Sequence, residues 1–294
     1  MDVPFVAPRR VAVEIPAGTV VIRVSETGPW RAVCRLRAEA GSSEDAENAL
    51  ARLGLVVDAE GGHITAGPIA GVSDRRHADT SVALEIAVPP GLDVTVRAGA
   101  AEVTAHGSFA NLDIDVAAGH TELEGVMCPQ GDVRVHVGSG HVSIHGASVP
   151  RGRATVQVGG GAVCLVGRAR TVTLCTGAGD IDAVCDVGCR ELRCETGAGH
   201  IEAELRGVPD ALTHLNAHAG DITIRLPSSA DADLVLTTRA GGIDAEEGLG
   251  LAVSECRESA AGAMVTCRRG GGGPTVTATT EAGDIAVRAM GIDL

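Results

Sequence analysis

The chain has 294 residues, a formal net charge of −14 and 45% apolar residues. The apolar share is enough to fold one elongated domain or two compact ones, while the acidic balance argues against nucleic acid and against an anionic membrane surface. With one Trp, two Phe and no Tyr, the chain lacks the aromatic platforms that sugar-binding clefts use.

In chain order, Val11–Ile15 and Thr19–Val24 read as strands around the turn Pro16-Ala17-Gly18. Residues 31–38 alternate as a third strand. Ser42 then opens a short helix that runs to about Leu53, because Ser suits an N-cap and the acids Glu44 and Asp45 suit a first turn. Strands resume at 55–58 and 63–66, and residues 67–79 read as a loop. Ser81–Val88 is an alternating strand stopped by Pro89-Pro90-Gly91. We read 1–90 as an N-terminal β-rich capping region that covers a sheet edge otherwise open to pairing.

From residue 91 the chain repeats. Thr176-Gly-Ala-Gly-Asp-Ile181 returns as Thr196-Gly-Ala-Gly-His-Ile201 and as Ala217-His-Ala-Gly-Asp-Ile222. Anchor glycines fall at Gly99, Gly119, Gly140, Gly161, Gly179, Gly199, Gly220, Gly241 and Gly283, with Gly262 as a degenerate tenth. A fixed period near 20 residues marks a repeat architecture. Apolar residues alternate on both sides of each anchor, as in Leu112, Ile114, Val116 and in Val142, Ile144. Period two is the pattern of a half-buried strand, and the small residues at the bend let the chain turn sharply. One coil cannot bury its apolar edge alone, but stacked coils can. The expected fold is therefore all-β: a single-stranded parallel β-solenoid (β-helix) occupying 91–294, with coils of about 20–21 residues. About ten coils at 4.8 Å make a rod about 45 Å long. The pattern does not encode handedness, and the right-handed form is the commoner. A sandwich of hairpins would share the strand spacing but has no need of a repeated bend in register.

The coil expected at Gly262 is poor, because its inward positions would be Glu255, Arg257 and Ser259. We read about 246–273 as an irregular Gly-rich excursion and Thr275–Val287 as the last coil, with no obvious cap. The repeated Thr-Gly-Ala-Gly-Asp/His-Ile blocks resemble an adhesin-like β-strand-repeat family of bacteria, a domain of unknown function. The order of parts is similar too: an N-terminal strand pair, Val-Pro-Pro-Gly at 88–91, and a Gly-rich interruption before a final Gly-Asp-Ile. The resemblance implies the fold and no catalytic residues. The many Cys and His of this chain depart from the family pattern.

Three sets of side chains are candidate sites. The residues after the anchors form a column of Ala100, His120, His141, Ala162, Asp180, His200, Asp221, Gly242 and Asp284. His120 and His141, with Glu122 nearby, are candidate metal donors; the alternative is that these residues bond backbone at the bend. Cys164, Cys175, Cys185, Cys189 and Cys194 cluster in three coils, but C-x3-C-x4-C is not zinc spacing. Parity turns Cys194 inward and Cys164 and Cys175 outward. Outward acids such as Asp113, Asp115, Glu122 and Asp182 could supply a glycosidase pair, yet no groove-forming insert stands among the regular coils. No hydrolase elbow is recognisable, and Gly270–Gly273 lacks the context of a phosphate loop.

These readings lead to a non-enzymatic scaffold or interaction protein with no catalytic residues, no cofactor and no metal. A ligand- or metal-responsive module using the His/Asp column is the alternative, and a polysaccharide-acting enzyme the second. The expected partner is another protein or a second copy of the chain, paired through the C-terminal coil. No stretch reads as a signal peptide or a transmembrane span, and nine cysteines suggest free thiols in a reducing compartment, so a cytoplasmic location is expected.

Overall fold

A computed structural model describes residues 10–25, 31–39, 42–50, 53–58, 63–68, 79–227, 229–259 and 262–290. Within these residues twenty strands join one sheet. In chain order come β1 (Arg10–Val24), β2 (Arg31–Glu39), helix α1 (Ser43–Leu50), β3 (Leu53–Asp58), β4 (His63–Pro68) and β5 (Asp79–Val88). The central strands are β6 (Asp93–Ser108), β7 (Asn111–Met127), β8 (Val133–Gly160), β9 (Val163–Ala178), β10 (Ile181–Cys185), β11 (Glu191–Ala198), β12 (Ile201–Leu205), β13 (Leu212–Ala219) and β14 (Ile222–Leu226). The last are β15 (Ala232–Thr238), β16 (Ile243–Ala245), β17 (Leu251–Ser259), β18 (Gly262–Arg269), β19 (Thr275–Ala282) and β20 (Ile285–Ala289). Ser42 caps α1: its Oγ accepts the Asp45 N–H at 3.1 Å.

The alternation seen in the sequence becomes a stack of coils paired in parallel. Val94 lies beside Leu112, Leu112 beside Val133, Val172 beside Leu192, and Leu192 beside Thr213. One row of inward side chains follows Val96, Ile114, Val135, Val156, Leu174, Cys194 and Leu215, all buried. These residues are small and aliphatic because two arms of a narrow coil meet across them. Among the described residues Phe109 is the largest fully buried side chain, at the corner between β6 and β7.

The structure corrects the sequence reading at three places. First, the stack begins at Arg10, not at residue 91. Val11–Ile15 and Gly18–Arg23 of β1 pair in parallel with Val94–Ala98 and Ala101–His106 of β6. On its other side β1 carries β4 and β5, which β3 and β2 in turn cover as antiparallel partners. Second, the anchor of the β6 coil is Ala101, not Gly99: Ala101 pairs with Gly119 on one side and Gly18 on the other.

Third, the last coil in sequence is not the last in space. β19 and β20 lie between β13/β14 and β15/β16: Thr213 pairs with Val276, and Val276 with Leu234. Threonine hydroxyls report the same order. Oγ1 of Thr176, Thr196, Thr280 and Thr238 donates to the carbonyl oxygen of Gly161, Gly179, Gly220 and Gly283 respectively, at 2.8–2.9 Å. Each hydroxyl thus reaches the anchor of the coil before it in the stack. The C-terminal coil has neighbours on both sides and offers no edge for a second copy. The excursion at 246–273 contains an antiparallel hairpin of β17 and β18, and β18 covers β15.

The hydroxyl contact gives a first expected result. Thr196→Val keeps the shape and removes the donor to Gly179 O, so urea unfolding should show a loss of about 1–2 kcal/mol. A midpoint unchanged from the parent protein would show that the carbonyl has another donor.

Candidate functional site

The column after the anchors is a ladder of backbone acceptors. His200 N–H donates to Asp180 Oδ1 (2.8 Å), Asp221 N–H to His200 Nδ1 (3.1 Å), Asp284 N–H to Asp221 Oδ1 (2.8 Å), and Gly242 N–H to Asp284 Oδ1 (2.7 Å). His141 does the same for Ala162 N–H at 3.1 Å. Each side chain therefore satisfies an amide that the bend turns away from the strand ladder. Glu102, not Ala100, precedes His120 in this column. His120 and His141 meet edge to face, with ring centroids 5.3 Å apart. Among the described residues no three His, Cys, Asp or Glu side chains converge as a metal would require.

A second ladder runs along another corner, and the sequence reading missed it. Asn111 Nδ2 donates to Asp93 Oδ1 (2.7 Å), Asp132 N–H to Asn111 Oδ1 (2.9 Å), and Arg153 N–H to Asp132 Oδ1 (2.9 Å). The signal was present as Asp93, Asn111 and Asp132 at the start of three successive coils, where the chain enters the stack.

The cysteines divide by burial. Cys194 points inward and is fully buried, and Cys164 and Cys175 are half-buried. Cys185 closes β10 and Cys189 sits in the turn after it; both are buried. A hydrogen bond between the two thiols pushes Cys185 up and Cys189 down. The Cys189 thiol also donates to Glu191 O at 3.3 Å. All nine cysteines are free thiols.

The outward acids do not form an isolated pair. Asp113 and Asp115 stand beside Arg134 and His136 on the next coil. Asp182 lies between Cys164 and Glu202, and burial, then the charges of Glu202 and Glu204, raise its pKa. The Glu202 carboxylate is bound to Arg225 Nε at 2.5 Å. Glu122 and Asp182 are three coils apart, about 14 Å, beyond the separation a glycosidase uses.

A concave feature crosses five of the coils. A groove of about 390 Å³ has Gly159, Gly177 and Gly197 as its floor. Its rim carries His136, Gln157, Cys175, Glu195 and Asn216, one from each of five successive coils. At one strand spacing per coil this rim is about 19 Å long. The glycines are there for the stack: a Cβ on Gly177 would sit 2.4 Å from Gly159 O. Their lack of side chains leaves the channel. The sequence reading took these glycines only as bends.

The model of the Toastrack DUF4097 family matches residues 9–288. The chain belongs to that family. Its match begins at the first coil, ahead of the residue-91 start read from the repeats, and runs past β19 into β20. Among solved structures, this Toastrack chain is similar to a candidate adhesin from Bacteroides fragilis at 11% identity, with 99% of this chain and 95% of that one covered and a TM-score of 0.43. It is also similar to a candidate cell adhesion protein from Clostridium sporogenes at 8% identity, with 97% of each chain covered and a TM-score of 0.24. A comparison with curated proteins returns no match. Among the described residues no helix is long and apolar enough to cross a membrane.

Proposed function

We propose that the chain is a non-enzymatic, adhesin-like β-solenoid scaffold, right-handed and cytoplasmic, that holds an extended segment of a protein partner along its face. The glycine-floored groove carries this reading. It is continuous over five coils and rimmed by an imidazole, two carboxamides, a thiol and a carboxylate. That mixture suits the alternating donors and acceptors of an extended backbone, which would lie along the stack. The candidate polar columns support the same reading, because their acceptors are already bonded to backbone amides of the next coil.

A photoreactive side chain placed at Gln157 or Asn216 tests it in the native cell. Both positions should yield the same covalent adduct with one protein, identified by mass spectrometry, and Thr155 outside the groove should not. Glycan turnover by the purified protein, lost in Asp182→Asn, would overturn it in favour of an enzyme.

A further inference from the structure

Antiparallel strands cover both ends of the stack, and the outer ones are edges: β2 and β3 at the N-terminal end, β17 at the other. Among the described residues, β17 has a single strand neighbour, β18. Both faces of β17 are largely open: Ala252, Val253 and Ser254 are exposed, as are Cys256, Arg257 and Glu258. Val253 keeps 60% of its surface accessible. An edge strand of this kind invites another strand, and proteins commonly guard such edges with charge.

The charges on β17 do not exclude every partner. Glu255 and Arg257 flank Cys256 on one face of the strand, with Arg257 Nη2 at 2.5 Å from Glu255 Oε1. Consider a second β17 laid antiparallel about a two-fold axis at Cys256. Glu255 then faces the partner's Arg257, Arg257 faces the partner's Glu255, and the two Cys256 side chains stand opposite each other. Slipping the register by one residue sets Glu255 against the partner's Glu258, or Val253 against that same glutamate. A slip by two sets Glu255 against its own copy, or Arg257 against its own copy. A parallel in-register arrangement opposes every like charge. Opposite charges stabilise a cross-strand pair and like charges destabilise it, so among these arrangements only the one centred on Cys256 sets both Glu255 and Arg257 against their opposites. A two-fold contact of this type also closes on itself and does not propagate into a fibre.

We propose that β17 is a self-recognition edge, through which two copies of this chain pair antiparallel about Cys256. The contact extends the scaffold reading but does not use the groove. It is short: the ladder with β18 shifts between Val253 and Glu255, so the flat run begins at Glu255. The dimer is therefore weak and concentration-dependent.

Charge reversal tests it with the full chain in reducing buffer, by sedimentation over a wide concentration range. Arg257→Glu makes both flanking positions acidic, and Glu255→Arg makes both basic. Each variant alone should weaken the dimer by about tenfold or more, since two favourable pairs become two like-charge pairs. An equimolar mixture of the two should restore dimer, now as a heterodimer. Oxidation of the wild type by diamide should then join the chains: the two Cys256 thiols give two protons and two electrons to the reagent's nitrogen–nitrogen double bond, and one sulfur–sulfur bond forms. Cys256→Ser should abolish that product. A wild type that stays monomeric at every concentration overturns the proposal, and so does a dimer indifferent to both charge reversals. Either result leaves adduct formation at Gln157 untouched, so the edge and the groove fail separately.

Discussion

Gly161→Ala should cost about 3–5 kcal/mol, while Gly160→Ala, one residue earlier, should stay within about 0.5 kcal/mol of the parent. The two glycines are neighbours at the same bend, and both substitutions add one methyl group. They differ in what that methyl meets. A Cβ on Gly161 would lie 1.7 Å from the carbonyl oxygen of Gly140, on the coil below. Gly161 also has φ +132°, where a side chain is strained whatever the space. A Cβ on Gly160 meets nothing within 4 Å. The Gly161 methyl is accommodated only if two coils separate, and that breaks the parallel ladder on both arms. Contacts in a stack run only between neighbours, so the break also divides the cooperative unit. Urea unfolding should show a lower midpoint and a shallower slope for Gly161→Ala. Equal midpoints for the two variants would mean that the close approach of coils at this corner does not hold the structure.

The second large effect is alkaline. Burial, then the charge of Asp132, push the Cys128 thiol up to about 12, against a backbone hydrogen bond from Phe109 that pulls it down. Burial raises Cys194 as well. An unfolded thiol ionises near the ordinary 9.0. The folded chain therefore keeps both protons where the unfolded chain has lost them. The stability that these thiols provide is complete below pH 9 and falls as pH rises toward 12. Each contributes a slope of about 1.4 kcal/mol per pH unit. Cys185 acts in the same direction, and Cys189, with its pKa lowered, acts in the opposite one. The pair partly cancels, and burial raises Cys34, Cys164, Cys175 and Cys267 too, so these add to the slope that Cys128 and Cys194 lead. Together Cys128 and Cys194 remove about 4 kcal/mol by pH 10.5, a large part of the stability of an ordinary domain. Urea midpoints measured in reductant from pH 7 to 11 should be level to about pH 9 and then drop. Cys128→Ala with Cys194→Ala should make the drop shallower, the remainder coming from the other raised thiols. A wild type equally stable at pH 8 and pH 11 would contradict the assignment.

Much of this architecture was legible in the sequence because the stack imposes its own chemistry. The anchor glycines from Gly119 onward were correct because the coils touch there, and no other residue fits against a carbonyl 2 Å away. The alternation was legible because each coil has one dry side. The errors have equally physical causes. Gly99 stands two residues before the true bend, and Ala101, without a positive φ, occupies the anchor column itself. Pro16 disguised the first coil as a hairpin turn. Period and parity describe one coil at a time and do not state which coils touch. The β15/β16 and β19/β20 segments carry the same pattern, so their exchange of places was not readable. The groove was hidden for a related reason. It is made by glycines that the fold needs for close approach, and by rim residues of five unlike types that share a column only once the coils are stacked.

The displaced coil has a consequence for how the chain is made. Synthesis runs from the N-terminus, so β15, β16 and the β17–β18 hairpin exist before β19 and β20 do. During that interval β13 and β14 have an unpaired edge, and β15 offers the same spacing of inward residues that β19 later brings. The native order requires the outermost layer to remain apart from that edge until the segment that separates them has been translated. The hairpin, already bonded to β15 along its far side, cannot hold the gap open on the near side. Order of assembly in this protein is thus decided at its last coil, by which of two nearly interchangeable segments reaches β13 first and which one stays.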